Sequence, residues 1–403
     1  MSILSVDAFA EGQDYPPERE SDRISTFKKY ASYRGNKFAG LVQVDEGLDY
    51  TPRLERNAFA FVSSFWRDSV MADPPTLLYE GDENAQTFID SIREWLFAAS
   101  RNVCEDMATY GLGVFVNRRE REPESIDPRY WFPVREAWDT REGDIDIISY
   151  PYSTDNANQA EPDRLYVEVT SRSGTAVIRH HKLDGQRIGE RVTQDETVPR
   201  GFPVPAVFGH GEYGQSMYAS ISGYVAELHR RESFISLSLD RAANPHLAMP
   251  VGSYSKEEDG GYTVDLESML IPVPDGGIMP QYIEWDARFE AQDKAITRAW
   301  RNIFQDAAIS ELLVSTDSNT RTPISGSAVR RLAVPTVHRL TELRQDLTDA
   351  FTAVIIETAK LSGIDLDADR IQVVWPPEFA SLDDEDPMLE GRGEENEPRN
   401  AAA

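Results

Sequence analysis

Gly209-His210-Gly211-Glu212-Tyr213-Gly214 spells G-x-G-x-x-G. Between a strand and a helix, such a run lets backbone amides and a helix N-terminus cradle a dinucleotide pyrophosphate. Here it follows a strand candidate, Val204 to Phe208, and precedes a helical pattern. One reading is therefore a nucleotide- or dinucleotide-binding enzyme using Gly209 to Gly214. Three features oppose it. Pro203 and Pro205 suit an edge strand better than a central parallel one. The following helix spans residues 215 to 242 by pattern, too long for a compact crossover. No second parallel strand ends in an acidic residue about 20 positions on. The competing reading is a glycine-rich turn that lets the chain enter a long helix.

Other reactive side chains form no constellation. His180 and His181 are adjacent on a strand candidate, so they point to opposite faces. They read as surface residues, because a tandem pair lacks the spacing of a zinc site. Cys104 is the one cysteine and has no C-x-x-C partner, so it reads as a buried apolar residue of a helix. A single cysteine rules out a disulfide within the chain and makes a reducing compartment the default. Neither a G-x-S-x-G elbow nor a G-x-x-x-x-G-K-[ST] loop is present. With 69 acidic residues, carboxylate pairs carry no information. Trp285 and Trp300 could stack on bases, but Trp300 lies on a helical apolar stripe and is expected to pack. No catalytic residue, cofactor site or metal site is assigned, and no cofactor is expected.

The bulk numbers agree with a soluble, folded chain. Of 403 residues, 40% are hydrophobic and 27% charged, ordinary for a globular protein. The net charge is −28, with seven lysines against 34 arginines. So acidic a chain is not expected to grip nucleic acid over its whole surface, since phosphate binding needs clustered cations. It can still surround DNA without holding it. No run approaches the roughly 18 apolar residues of a transmembrane helix. The N-terminus lacks the basic start and apolar core of a signal peptide.

The periodicity places the elements. Residues 1 to 50 are polar with little periodicity and form an N-terminal arm. A helix is expected from near Thr51, with Leu54, Phe61, Phe65 and Trp66 at helical spacing. Asp73-Pro74-Pro75 stops it before a strand at Thr76 to Tyr79. Two helices follow, Asn84 to Ser100 and Val103 to Gly111, then a strand around Val114 to Val116. From Trp131 to Val207 short strands and turns dominate, with Asp184-Gly185 as a hairpin signal. Helical period returns over 215 to 242 and again from Asp286 to Leu313. Between them lies a Pro/Gly-rich excursion of irregular or β character. Ser315 to Pro323 is a polar loop. A last helix runs from after Ser325 to about Leu361 with Pro335 inside it, a kink site. Ile371 to Trp375 is a final strand, and acidic residues 379 to 403 are expected to be disordered.

The order of these parts resembles the portal proteins of tailed bacteriophages. Tyr213-Gly214-Gln215-Ser216 opens the first long helix, which ends near Asn244-Pro245. Trp300-Arg301-Asn302-Ile303-Phe304 marks the second. Ser325-Gly326-Ser327-Ala328-Val329-Arg330-Arg331-Leu332 starts the kinked helix and resembles the family segment after the tunnel loop. Asn57 and Tyr110-Gly111-Leu112-Gly113-Val114-Phe115 fit the first half. The likeness covers roughly residues 30 to 377.

The resemblance implies an α+β portal fold, mainly helical, with a β-rich wing layer, two long stem helices, a short clip and a long kinked wing helix. Its divisions are an arm at 1–50, wing at 51–214, stem helices at 215–245 and 285–313, clip at 246–284, tunnel loop at 314–324, wing helix and last strand at 325–378, and tail at 379–403. Only an acidic stretch of about 25 residues follows Trp375, so the family's large helical crown is not expected here. Ser315, Thr316, Asp317, Ser318, Asn319, Thr320, Arg321 and Thr322 would be the DNA-facing tunnel loop. Tyr254, Lys256, Tyr262, Gly276 and Gly277 would contact partners at the clip. The implied partners are further copies in a dodecameric ring, major capsid protein, scaffolding protein, terminase large subunit, a head–tail connector or adaptor, and double-stranded DNA in transit without sequence specificity. No membrane is involved. The implied location is the capsid vertex of the virion, with the host cytoplasm during assembly. Another phage head or tail structural protein remains the third reading.

Overall fold

The computed structural model describes residues 4–38, 57–134, 145–154, 162–211, 213–243, 246–250, 270–273, 281–283, 289–311 and 326–377. The chain is α+β and divides into two compact units. The first comprises Met1–Ala31, Val62–Tyr218 and Ala308–Ala403; the second Ser32–Phe61 and Ala219–Ala307.

In the first unit a six-stranded antiparallel sheet carries the main core. Its path is β4 (Trp131–Val134), β5 (Ile145–Tyr152), β6 (Arg164–Ser171), β7 (Thr175–Asp184) and β8 (Arg187–Arg191), with β9 (Glu196–Pro199) also paired to β7. Alternation of side chains assigns the two faces. Phe132, Ile147, Leu165, Val167 and Ile188 are buried under Leu4, Phe9, Tyr15 and Ile24 from the N-terminus. Trp131 and Ile148 share the other core with Phe27, Tyr110, Val114 and Val116. That second layer comes from a three-stranded sheet ordered β10 (Gly201–Val207), β2 (Leu112–Arg119), β3 (Glu122–Ile126). Gly185, at φ +59, turns β7 into β8 where the hairpin signal lies.

The N-terminal arm is more ordered than its weak periodicity suggests. It contains α1 (Glu18–Arg34), and its first residues pair with β8 through Gly12 N–H to Ile188 O at 2.8 Å and Ile188 N–H to Gln13 O at 2.8 Å. The next helix, α2 (Ala58–Val70), does not run from near Thr51. Asn57 lies outside the helix and its Oδ1 accepts the Ala60 amide at 3.1 Å, an N-cap that sets the start. Thr51 itself lies outside the described residues.

The two helices expected over 84 to 111 are one, α3 (Glu83–Tyr110). Asp82 caps it by accepting the Asn84 amide at 2.8 Å. At the expected break Ser100 stays helical, its hydroxyl donating to the Leu96 carbonyl, and the buried stripe continues through Leu96, Ala99, Val103 and Met107. The polar Ser-Arg-Asn triplet is therefore no stop, because burial outweighs the small propensity cost. Gly111, at φ +94, does end the helix.

The last helix, α6 (Gly326–Leu361), carries Pro335 inside it and packs on the three-stranded sheet. Glu357 accepts the Phe202 amide at 2.9 Å, and Thr358 donates to Asn117 Oδ1 at 2.9 Å. Gly363 at φ +72 follows its end. Two short strands, β1 (Thr76–Tyr79) and β14 (Ile371–Val374), pair antiparallel. The outer edge of β1 is closed by one side chain: Gln86 accepts from Tyr79 N–H at 2.8 Å and donates to Leu77 O at 3.1 Å.

The second unit holds α4 (Met217–Ala243) for most of its length, β11 (His246–Pro250), β12 (Leu270–Val273), β13 (Gln281–Ile283) and α5 (Phe289–Asp306). Ile221, Val225 and Leu228 of α4 and Ala299 and Ile303 of α5 are buried. Arg231 of α4 donates to Gln292 of α5 at 2.9 Å. Tyr33 stacks on Phe59 with centroids 4.9 Å apart. α5 stops at Asp306, short of the expected Leu313, because Ala308 takes a left-handed conformation at φ +56. That conformation costs an L-residue about 1–2 kcal/mol.

Candidate functional site

The segments expected to meet partners, Tyr254, Lys256, Tyr262, Gly276 and Gly277 at the clip and Ser315 to Thr322 in the tunnel loop, lie outside the described residues. Their anchors are described. In the excursion after α4 the strands form a mixed sheet ordered β12, β11, β13, with β12 parallel and β13 antiparallel to β11. In chain order Tyr254, Lys256 and Tyr262 fall between β11 and β12, and Gly276-Gly277 between β12 and β13. The loop of Ser315 to Thr322 lies between α5 and α6.

The glycine motif is fully placed except for Glu212, which lies outside the described residues. Its strand, β10, is an edge strand antiparallel to β2, not a central parallel strand. Gly209, Gly211 and Gly214 all have positive φ, at +76, +106 and +68. Gly214 is pressed onto the turn that ends α3. A Cβ there would fall inside the radius of the Gly111 carbonyl oxygen and 2.7 Å from Phe208 O. Gly111 is equally tight, since its Cβ would lie 2.7 Å from Gln215 N. Two hydrogen bonds lock these turns together: Phe208 N–H to Gly111 O and Gln215 N–H to Phe208 O, both 2.8 Å.

The start of α4 is occupied as well. Ser216 accepts the Tyr218 amide at 3.1 Å and donates its own proton to the Thr109 carbonyl. Tyr213 turns inward, its hydroxyl 3.2 Å from both Glu20 carboxylate oxygens. Arg23 completes this buried group. It pairs with Glu20 at 2.6 Å, donates to the carbonyls of Pro128 and Trp131, and lies 4.6 Å from the Tyr213 ring centroid. The amides of Phe208, Gln215 and Tyr218 around the motif are thus spent on Gly111, Phe208 and Ser216, and Gly214 is packed against backbone with no room beside it. Equilibrium dialysis of the purified chain with NAD or ATP is expected to show no binding at millimolar ligand; saturable one-site binding would restore the nucleotide reading.

His180 and His181 do point to opposite faces. His181 is buried, at 2% exposure, not on the surface, with Nδ1 3.2 Å from Gly189 O. β8 covers this part of β7, and burial pushes the imidazole pKa below its ordinary value. His180 Nδ1 sits 2.9 Å from the Tyr152 hydroxyl. Among the described residues no group of three or more His, Cys, Asp or Glu is placed to hold a metal. Cys104 is buried in α3, and desolvation pushes its thiol pKa well up. Such a thiol is a poor nucleophile. Trp300 is half-buried and packs on Phe304, which contacts Phe61 at 5.9 Å between centroids. No helix of the described residues is long and apolar enough to cross a membrane.

A charged centre that sequence spacing does not reveal joins the six-stranded and three-stranded sheets of the first unit. Glu168 of β6, 1% exposed, lies 3.2 Å from Arg118 of β2 and 3.3 Å from Arg200 beside β10. Tyr166 donates to the same carboxylate at 2.7 Å. Its phenol is pushed far above its ordinary pKa, by burial first and the carboxylate second. Ion-paired with two arginines and hydrogen-bonded to Tyr166, this group reads as a joint, not a catalytic acid.

No protein-family model matches the chain, and no curated protein matches it. Among solved structures, similar chains come from gene transfer agent particles. One is from the neck of the empty particle computed with C6 symmetry, with a TM-score of 0.42 and 11% identity over 88% of this chain and 86% of that one. A second is from the neck of the native particle computed with C12 symmetry, at 0.43 and 12% over 96% and 92%. A third is from the virion of the native particle, at 0.43 and 12% over 90% and 91%. Likeness at this level carries no residue role and no activity over to the present chain.

Proposed function

We propose that this chain is a portal-type subunit of a tailed phage or phage-like particle, a structural protein and not an enzyme. Copies would form a ring at one capsid vertex through which double-stranded DNA passes in packaging and ejection. The observation that carries this reading is the order α4, a three-stranded excursion, α5, a polar connection and then α6 with Pro335 inside it. The two helices and the strands between them also fall in one compact unit. In this reading α4 and α5 are the stem and β11 to β13 the base of the clip. The connection between α5 and α6 is the tunnel loop, and the sheets with α6 are the wing. Long helices with one apolar stripe need partners, and a ring supplies the neighbouring copy. The −28 charge suits a channel that lets DNA slide without adhering. Capsid protein, scaffolding protein, terminase and a head–tail connector are the partners such a subunit would meet, in the host cytoplasm during assembly and then in the virion.

Negative-stain microscopy of the purified full-length protein tests this directly. Rings with a central hole are expected, and Arg321→Ala is expected to form them as well as the wild type, because in this reading the loop faces DNA and not the neighbouring copy. A strictly monomeric particle at high concentration would overturn the ring. Loss of rings in Arg321→Ala alone would overturn the placement of the loop.

A further inference from the structure

Five threonines lie on α6, and four of them turn their hydroxyls back onto the helix. Thr341, Thr348 and Thr352 donate to the carbonyl four residues back, at 3.0, 2.8 and 3.1 Å, and the Thr358 hydroxyl, which also reaches Asn117, lies 2.7 Å from the Val354 carbonyl. This is the usual behaviour of a helical threonine. Thr336 behaves differently. Its hydroxyl donates to the Ala308 carbonyl at 2.8 Å and accepts from the Ser310 amide at 2.8 Å, and the residue is 2% exposed. One side chain thus bridges two positions in the stretch that follows α5. It does so directly after Pro335, where α6 lacks a backbone N–H.

What Thr336 holds is a break that the local sequence does not favour. Ala307 and Ala308 are the strongest of helix formers, and the apolar period of α5 runs on past Asp306. Yet Ala308 sits at φ +56, a strained conformation for alanine. Glu311 is helical again. Ala307 and Ala308 form a turn outside the helix. A continuous helix would give the Ala308 and Ile309 amides the carbonyls of Phe304 and Gln305 in regular geometry. Local propensity therefore points to continuation, and a single hydroxyl from α6 opposes it.

We propose that Thr336 is a latch: while its hydroxyl is engaged α5 stops at Asp306, and when it is released α5 runs on through Ala307 to Glu311. A short segment with two arrangements, biased by one contact, is the type of bistable element on which conformational switching is built. The proposal does not depend on ring formation.

Residue-resolved hydrogen exchange on the full-length protein tests it. In Thr336→Val the Ala308 and Ile309 amides are expected to exchange at least ~10-fold more slowly than in the wild type, while Ser310 stays protected by the Asp306 carbonyl. Thr336→Ser keeps the hydroxyl and the wild-type pattern. Adding Ala308→Gly to Thr336→Val removes both strain and helix propensity, so fast exchange at Ile309 returns. Faster exchange at Ser310 in Thr336→Val with Ala308 and Ile309 unchanged would make Thr336 a plain tether and overturn the latch. So would equal slowing in the single and double variants. Ala308→Gly alone leaves the latch intact and relieves its strain, so Ser310 exchange is expected to slow about threefold. Unchanged or faster exchange there overturns the proposal even if Thr336→Val does not fold.

Discussion

Gly214→Ala is expected to leave almost no soluble, folded protein, whereas Gly211→Ala three residues earlier is expected to express almost as the wild type. Both positions have positive φ, at +68 and +106, so each alanine bears about 1–2 kcal/mol of backbone strain. Only Gly214 adds a collision. Its Cβ would meet the Gly111 and Phe208 carbonyl oxygens, both rigid backbone, while Gly211 has nothing within 4 Å. Forcing an atom into a packed site costs about 1–3 kcal/mol where side chains can yield, and more where backbone must move. The sum is a large part of the roughly 5–15 kcal/mol that holds a domain folded. Soluble yield and thermal unfolding of the two variants side by side measure the difference. A nucleotide-binding motif would give another pattern, in which Gly211 controls ligand affinity. Equal behaviour of the two variants would mean that the interlocked turns are not where the structure puts them.

Glu168→Gln is expected to destabilise the first unit by about 2–4 kcal/mol, read as a lower midpoint in urea unfolding. Removing one member of a buried ion pair typically costs about 3–5 kcal/mol, because the other charge is stranded. Two guanidinium groups would be stranded here. Their side chains keep 24% and 20% exposure, so water offsets part of the loss. Replacing all three, with Arg118→Met and Arg200→Met added to Glu168→Leu, is expected to recover most of the stability, since a packed apolar group bears no desolvation cost. A change below about 0.5 kcal/mol in Glu168→Gln would show that the sheets are joined by apolar packing alone.

These two sites differ in how far they can be read from sequence. The glycine run stands out as letters, and Pro203 and Pro205 already mark β10 as an edge. Which carbonyls press on Gly214 is a tertiary fact, because Gly111 lies about a hundred residues away. Glu168 is invisible as one of 69 acidic residues; only the pairing of β6 with β5 and β7 turns it inward. Long periodic elements such as α4 and α6 are legible because a repeating apolar stripe dominates their energetics. Helix ends are less so. Asn57 moved the start of α2, burial carried α3 through Ser100-Arg101-Asn102, and Thr336 cut α5 short. In each case a distant side chain or a buried surface overrode local preference.

The pairing of β1 with β14 sets a timetable for synthesis. Glu80 and Gln372, in contact across that sheet, are 292 residues apart in the chain. Until the ribosome has passed Val374, β1 has Gln86 along one edge and no strand along the other. Contacts so far apart form late and slowly. A chain released early, by a stop codon or a stalled ribosome, therefore lacks a strand of its first unit and exposes Leu77 and the face beneath it. Such a fragment is a substrate for proteases and chaperones before it can enter an assembly. In the ring proposed above one defective member would spoil the whole, so a partner strand made this late would act as a check that synthesis has passed β14.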